Sequence, residues 1–330
     1  MNLTNPLFKD IIVAGAIGDA FGYLVEFDPI DWIDEKFPDY TLDGVAKVRP
    51  SWNISDDTQM TLFCLEGILK NKDVEEIDIK KVNSDIYISY LDWYYTQNAT
   101  EAEPLVREKL LDYKVMYRRE APGNTCMSAL YDGQMGIISH PINDSKGCGG
   151  IMRVAPVAFL GLSLEDTFKL GAMQAATTHG HPEGYLSAGY FAALLKILIE
   201  GGKFNVYAAD KLYTISSYYD KSERFLKYIE HMTSHVLSDN ELLEGHALTT
   251  QLGQGWVGEE ALGVALYCAT KTDSFADCLR LAARHNGDSD STASIAGQLW
   301  VAGGGDMSHY ADFVKKLNAV DAIKHVLAKM

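Results

Sequence analysis

The chain has 330 residues, 47% of them hydrophobic, and a formal net charge of −16. That is enough apolar side chain to bury a sizeable core, as one large domain or two of ordinary size. The negative field repels phosphates, which argues against nucleic acid and anionic membranes as partners; a bound phosphate must be held locally, by backbone N–H groups or a few placed cations.

The opening stretch, MNLTNPLFKDIIVAGAIGDAFG, carries a short apolar run without a basic leader, and Asp19 interrupts it well before membrane-spanning length. No later segment reaches about 18 uninterrupted apolar residues, so a cytoplasmic protein without a membrane partner is expected. Cys64, Cys126, Cys148, Cys268 and Cys278 are odd in number and form no CxxC pair, so they are read as free thiols of a reducing compartment. In the first helix, Gly15, Gly18 and Gly22 read as packing notches, and Asp19 is an acid on an otherwise apolar element.

The segment 26–54 is punctuated by Pro29, Pro38, Gly44 and Pro50 and reads as an ordered loop packed through Trp32 and Trp52. Helical patterns follow at 58–70, 84–97, 122–131, 151–160, 163–180, 186–202, 259–270, 274–284, 291–302 and 308–329. Ser163 and Asp166 stand in capping-box spacing, and Pro182 suits a first helical turn. The segment 132–150 is irregular and contains five glycines. With no alternating strand series, fixed-period repeat or low-complexity linker, the expectation is one compact all-α domain over residues 1–330.

Two short clusters carry oxygen ligands at helix starts: Ser55, Asp56 and Asp57 within SWNISDDT, and Asp288, Asp290 and Ser291 within NGDSDS. Either cluster alone is accounted for by helix capping, which needs one oxygen per terminus. A calcium loop starting at Asp288 fails, because Ala293 and Leu299 stand where an EF-hand needs Gly and Glu. If the two helix mouths face one another, four carboxylates and two hydroxyls form an all-oxygen cage suited to Mg²⁺ or Mn²⁺. A pair of such ions roughly 3.5–4 Å apart would neutralise the cage. Glu26, just past the first helix, is either a solvated loop residue or a carboxylate that supports the metal site or accepts a proton.

The stretches APGNTCMSAL and SKGCGGIMRVAPVAF place glycine-rich backbone before helices, which is one way to hold a pyrophosphate and also an ordinary way to make a turn. Thr178, His179 and His181 lie between two helices, where a histidine is more often a cap than a ligand; zinc spacing is absent.

Taken in order, GDAFGYLVEF, SDDTQMTLF, APGNTCMSAL, GCGGIMRVAPVAF, THGHPEGYLSAG, GQGWVGEEALGVALYCA and NGDSDSTASIAG resemble the successive signature blocks of the ADP-ribosylglycohydrolase family. The resemblance runs from about residue 10 to about residue 305 and implies that family's all-α fold with a binuclear metal cleft. It implies two divalent ions, Mg²⁺ or Mn²⁺, held by Ser55, Asp56, Asp57, Asp288, Asp290 and Ser291; an oxocarbenium-like carbon and a leaving guanidine that needs a proton then make Glu26 and Asp57 the expected catalytic carboxylates. It assigns substrate contacts to Gly123, Asn124, Thr125, Ser145, Gly147, Cys148, Gly149, Gly150 and His179. The implied activity is removal of ADP-ribose from a modified protein side chain, arginine foremost. The implied partners are an ADP-ribosylated protein, ADP-ribose and a cognate ADP-ribosyltransferase.

Three departures stand out. Serine replaces threonine at Ser55 and Ser291, Cys148 replaces an asparagine, and Lys146 replaces an aromatic residue, which leaves Trp52, Tyr117 or Trp256 to stack on adenine. The Cys148 departure keeps open an ADP-ribose-binding or transferase-blocking protein without turnover; a hydrolase of free ADP-ribose derivatives, sharing the site and differing only in the outer groove, is a further alternative.

Overall fold

The computed structural model describes residues 3–99 and 109–330, and the regular elements among them are all helical, as the hydrophobic period predicts. Helix α1 (Pro6–Gly22) begins where the Asn5 side chain accepts from the Leu7 N–H and Pro6 fills a first turn that needs no donor. The expected loop at 26–54 instead holds two short helices, α2 (Ile30–Lys36) and α3 (Leu42–Val48). Its prolines sit outside those helices, Pro29 as the residue before α2, so they punctuate rather than break it.

After α4 (Asp56–Leu69) and α5 (Ile79–Asn98), the chain passes through 3₁₀ turns at Leu110–Asp112 and Lys114–Tyr117 into α6 (Asn124–Tyr131). Two further 3₁₀ segments, Cys148–Gly150 and Ala155–Leu160, replace the α-helix expected at 151–160. Then come α7 (Leu164–Ala176), α8 (Pro182–Ile199), α9 (Val206–Ser217), α10 (Glu223–Val236) and α11 (Gly245–Leu252). The chain continues through α12 (Gly258–Lys271), α13 (Phe275–Ala283), α14 (Ser289–Ala302), α15 (Ala311–Val314) and α16 (Val320–Leu327).

The single helix expected at 308–329 is therefore broken. Its break is stabilised from afar: the Trp52 N–H donates to the Lys316 carbonyl and the Asn318 N–H to the Trp52 carbonyl. One continuous apolar core runs from Leu3 to Leu327, and α8 is buried on nearly every side within it. All five cysteines are free thiols. Among the described residues, no helix is long and apolar enough to cross a membrane.

The packing that matters for the site is between α1 and α14. A Cβ added at Gly15 would lie 2.3 Å from Gln298 Nε2, one at Gly18 2.3 Å from the Ala293 carbonyl oxygen, and one at Gly22 2.1 Å from that of Ser289. The contacts ascend α1 while descending α14, so the helices run antiparallel with their backbones in contact. The end of α1 is thereby delivered to the start of α14.

Candidate active site

Because α1 ends where α14 begins, Glu26 falls beside Asp288 and Asp290. One carboxylate oxygen from each lies within 4.8 Å of the others, and all three residues are buried. The other acidic mouth, at the start of α4, is pinned to the same place by Asp19. Its carboxylate accepts from the Ser55 N–H at 3.0 and 3.1 Å, from the Thr58 N–H at 3.0 Å and from the Thr58 hydroxyl. This carboxylate thus caps α4 across the core, and Asp56 and Asp57 in the first turn of that helix face the cleft that Asp288, Asp290 and Ser291 line from the other side.

Capping does occur at both mouths. The Ser55 hydroxyl accepts from the Asp57 N–H at 3.2 Å, Asp288 Oδ1 from the Ser291 N–H at 3.3 Å, and Asp290 Oδ1 from the same N–H at 2.9 Å. Asp56 Oδ2 accepts from the Gly123 N–H at 3.0 Å. Those bonds leave Glu26 Oε2 and Asp57 Oδ2 buried without a hydrogen-bond partner. Among the described residues, no lysine or arginine forms an ion pair with any of these acids.

Burial, followed by the charge of Asp290, pushes Glu26 up to about 11 and Asp19 up to about 7. Asp56, Asp57 and Asp288 are driven well above the usual carboxylate range, burial again being the first cause. Such a cluster is costly to ionise unless cations enter it. Unpartnered oxygens and a purely carboxylate and hydroxyl donor set fit hard divalent ions.

Next to the acids lies a polar cradle, and the two together form a cleft of about 480 Å³. One wall is Gly123, Asn124 and Thr125 at the start of α6; the other is Gly147, Cys148 and Gly149. The second wall is tied down on both sides, with the Cys148 N–H donating to the Trp256 carbonyl at 3.1 Å and the Gly258 N–H to the Lys146 carbonyl at 2.8 Å. The Lys146 side chain turns away from the cleft and pairs with Glu183 at 2.7 Å and Glu259 at 2.6 Å.

Ser145 and Gly150 stand behind the lining. The Ser145 hydroxyl bonds Thr125 Oγ1 at 3.0 Å, joining the two walls, and Gly150 packs on Ala175. His179 closes the floor; burial, with the Arg153 charge second, lowers it to about 3, so its imidazole is neutral. Cys148 Sγ lies 2.7 Å from Asp288 Oδ2, a contact between cradle and acids that the sequence does not announce.

The ADP-ribosylglycohydrolase family model matches residues 6–329. The chain belongs to the ADP-ribosylglycohydrolase family. It is 24% identical over 301 residues to ADP-ribosylarginine hydrolase Tri1 of Serratia proteamaculans (strain 568), covering 88% of this chain and 69% of that protein. It is 21% identical over 322 residues to ADP-ribosylhydrolase ARH3 of Mus musculus, covering 88% of this chain and 82% of the relative. A solved structure titled "ADP-ribosylglycohydrolase-related protein complex" superposes with a TM-score of 0.59 at 21% identity, over 98% of this chain and 96% of that one.

The three aromatics expected to stack on adenine have different fates in this chain. Trp52 is fully buried, its ring packed against Phe21 and Phe313, and is unavailable. Tyr117 packs edge-on against Tyr95 and does not line the cleft. Trp256 does line it, and stacks with Phe27 at a centroid distance of 6.2 Å and 18° between ring planes.

Phe27, Arg119 and the capping role of Asp19 escape sequence reasoning, although Phe27 directly follows Glu26 in the block GDAFGYLVEF. A larger cleft of about 720 Å³, lined by Tyr185, Tyr219 and Lys169 among others, contains none of the clustered acids.

Proposed function

We propose that this member of the family removes ADP-ribose from a modified protein side chain, with arginine as the acceptor and two divalent ions, Mg²⁺ or Mn²⁺, in the acidic cleft. The observation that carries the reading is the convergence of Glu26, Asp288 and Asp290 within 4.8 Å, directly beside the cradle. Asp56, Asp57 and Ser55 would hold the ions from the α4 side, and Asp288, Asp290 and Ser291 from the α14 side. When bound, such ions supply charge neutralisation and a Lewis-acid hold on ribose hydroxyls and water.

The chain's own residues divide the remaining work. With the Gly123 and Cys148 N–H groups engaged by Asp56 and the Trp256 carbonyl, the N–H groups of Asn124, Thr125 and Gly149 and the neutral His179 receive the pyrophosphate without calling on lysines. The glycosidic carbon develops positive charge as its bond to nitrogen lengthens, and the neighbouring Asp57 carboxylate stabilises it. Glu26 and Asp57 share the proton traffic, one taking a proton from the attacking water and one serving the leaving guanidine. Arginine as acceptor is supported by two things: the relative Tri1, named for ADP-ribosylarginine, and an acidic cleft complementary to a guanidine.

A second reading, binding without turnover, draws on the Cys148 thiol held against Asp288. One assay separates the two. The purified chain with Mg²⁺ or Mn²⁺ is incubated with arginine-, serine- and glutamate-linked ADP-ribosylated proteins and release is followed. The proposal expects release from the arginine linkage; tight ADP-ribose binding with no release from any linkage supports the binding protein.

A further inference from the structure

Arg153 is fully buried and, among the described residues, has no carboxylate partner. Its Nη1 donates to Cys126 Sγ at 3.2 Å and to Met60 Sδ at 3.6 Å, and its guanidinium lies 4.3 Å from the centre of the Tyr90 ring. The Nε atom has no partner at all. Sulfur atoms and a ring face compensate a buried charge weakly, so this one calls for an anion.

Its one strong bond leads toward the cradle. Arg153 Nη2 donates to Thr178 Oγ1 at 2.6 Å, and Thr178 Oγ1 lies 2.8 Å from His179 Nδ1. The direction of the second bond follows from counting lone pairs. The Thr178 hydroxyl proton has two acceptors in reach, His179 Nδ1 and the Ala175 carbonyl at 3.5 Å. That carbonyl already accepts the Thr178 N–H at 3.1 Å and the His179 N–H at 2.9 Å, which uses both of its lone pairs. The hydroxyl proton therefore goes to Nδ1. The imidazole, neutral in this setting, then carries its own proton on Nε2, the atom that faces Gly147 and Gly149.

We infer that Arg153 and Thr178 are positioning residues that lock His179 as the Nε2–H tautomer, so that a donor, never an acceptor, points into the cradle. An acceptor-only anion such as a pyrophosphate oxygen is matched there. It would also be the counter-charge that Arg153 lacks, reached through a polarised chain of hydrogen bonds. The inference rests on reading the cradle as the seat of that anion, but its first test needs no ligand.

In protein with ¹⁵N-labelled histidine, long-range ¹H–¹⁵N spectra distinguish a protonated Nδ1 from a protonated Nε2, and His179→Gln identifies the His179 signals. Wild type should show His179 protonated on Nε2 alone. Thr178→Val should admit the other tautomer and raise the Kd for ADP-ribose by about tenfold, the scale of one hydrogen bond to a charged group. Thr178→Ser, which keeps the hydroxyl, should restore both. A wild-type His179 protonated on Nδ1, an unchanged tautomer in Thr178→Val, or unchanged binding in that variant would each overturn the inference. Should wild type not bind ADP-ribose, the functional proposal fails, while the wild-type spectrum still decides the relay.

Discussion

Gly22 of α1 meets the backbone of Ser289 at the start of α14, so closely that a side-chain carbon there would sit 2.1 Å from the Ser289 carbonyl oxygen. This contact sets the distance from Glu26, four residues on, to Asp288 and Asp290. Gly22→Val should force the helices apart, lowering stability by about 1–3 kcal/mol, the usual cost of overpacking. It should also weaken Mn²⁺ binding, although residue 22 carries no ligand. Thermal denaturation and Mn²⁺ titration check both; unchanged Mn²⁺ affinity would mean the contact does not govern the acids.

Glu26 separates a catalytic carboxylate from a loop residue. Proton transfer typically contributes 10²–10⁴-fold, so Glu26→Gln should slow ADP-ribose release by at least about a hundredfold while ADP-ribose still binds in the presence of Mg²⁺. Near-wild-type turnover would return Glu26 to a supporting role and leave Asp57 to carry the chemistry.

At Cys148 the thiol contacts Asp288, where the resembled family carries an amide. Cys148→Asn keeps a donor toward that carboxylate and should hold or raise the rate of release. If the variant is inactive, the thiol has a function that the amide cannot replace.

Lys146 anchors the cradle by pairing with Glu183 and Glu259 rather than by contacting the cleft. Lys146→Met leaves Glu183 with Arg224 but Glu259 without its cation. The expected stability loss is about 2 kcal/mol, between the values for exposed and buried pairs. With the 147–149 wall loosened, the KM for substrate should rise more than kcat falls, which steady-state kinetics would show.

What could be read from the sequence was chemistry confined to short stretches. The oxygens at 55–57 and 288–291 stand together in the chain and open α4 and α14, and the glycine notches of α1 share one helical face that meets α14. Relationships between distant residues stayed hidden. Asp19 caps a helix 36 residues away, and Trp52, offered as a stacking surface, is consumed by pairing with the break between α15 and α16. Helices α9, α10 and α11 went unread because each carries a solvated polar face with a narrow apolar stripe. The Pro-rich segment hid α2 and α3, since prolines flanking helices look much like prolines that exclude them.

The central claim is that the mouths of α4 and α14 form one cage for divalent cations. Calorimetric titration of the purified chain with Mn²⁺, beside Asp290→Asn, tests it most directly. The account predicts saturable binding of two ions by the wild type, with reduced stoichiometry or affinity in a variant whose circular dichroism is unchanged. Absence of binding by the wild type, or identical binding by Asp290→Asn, would contradict it.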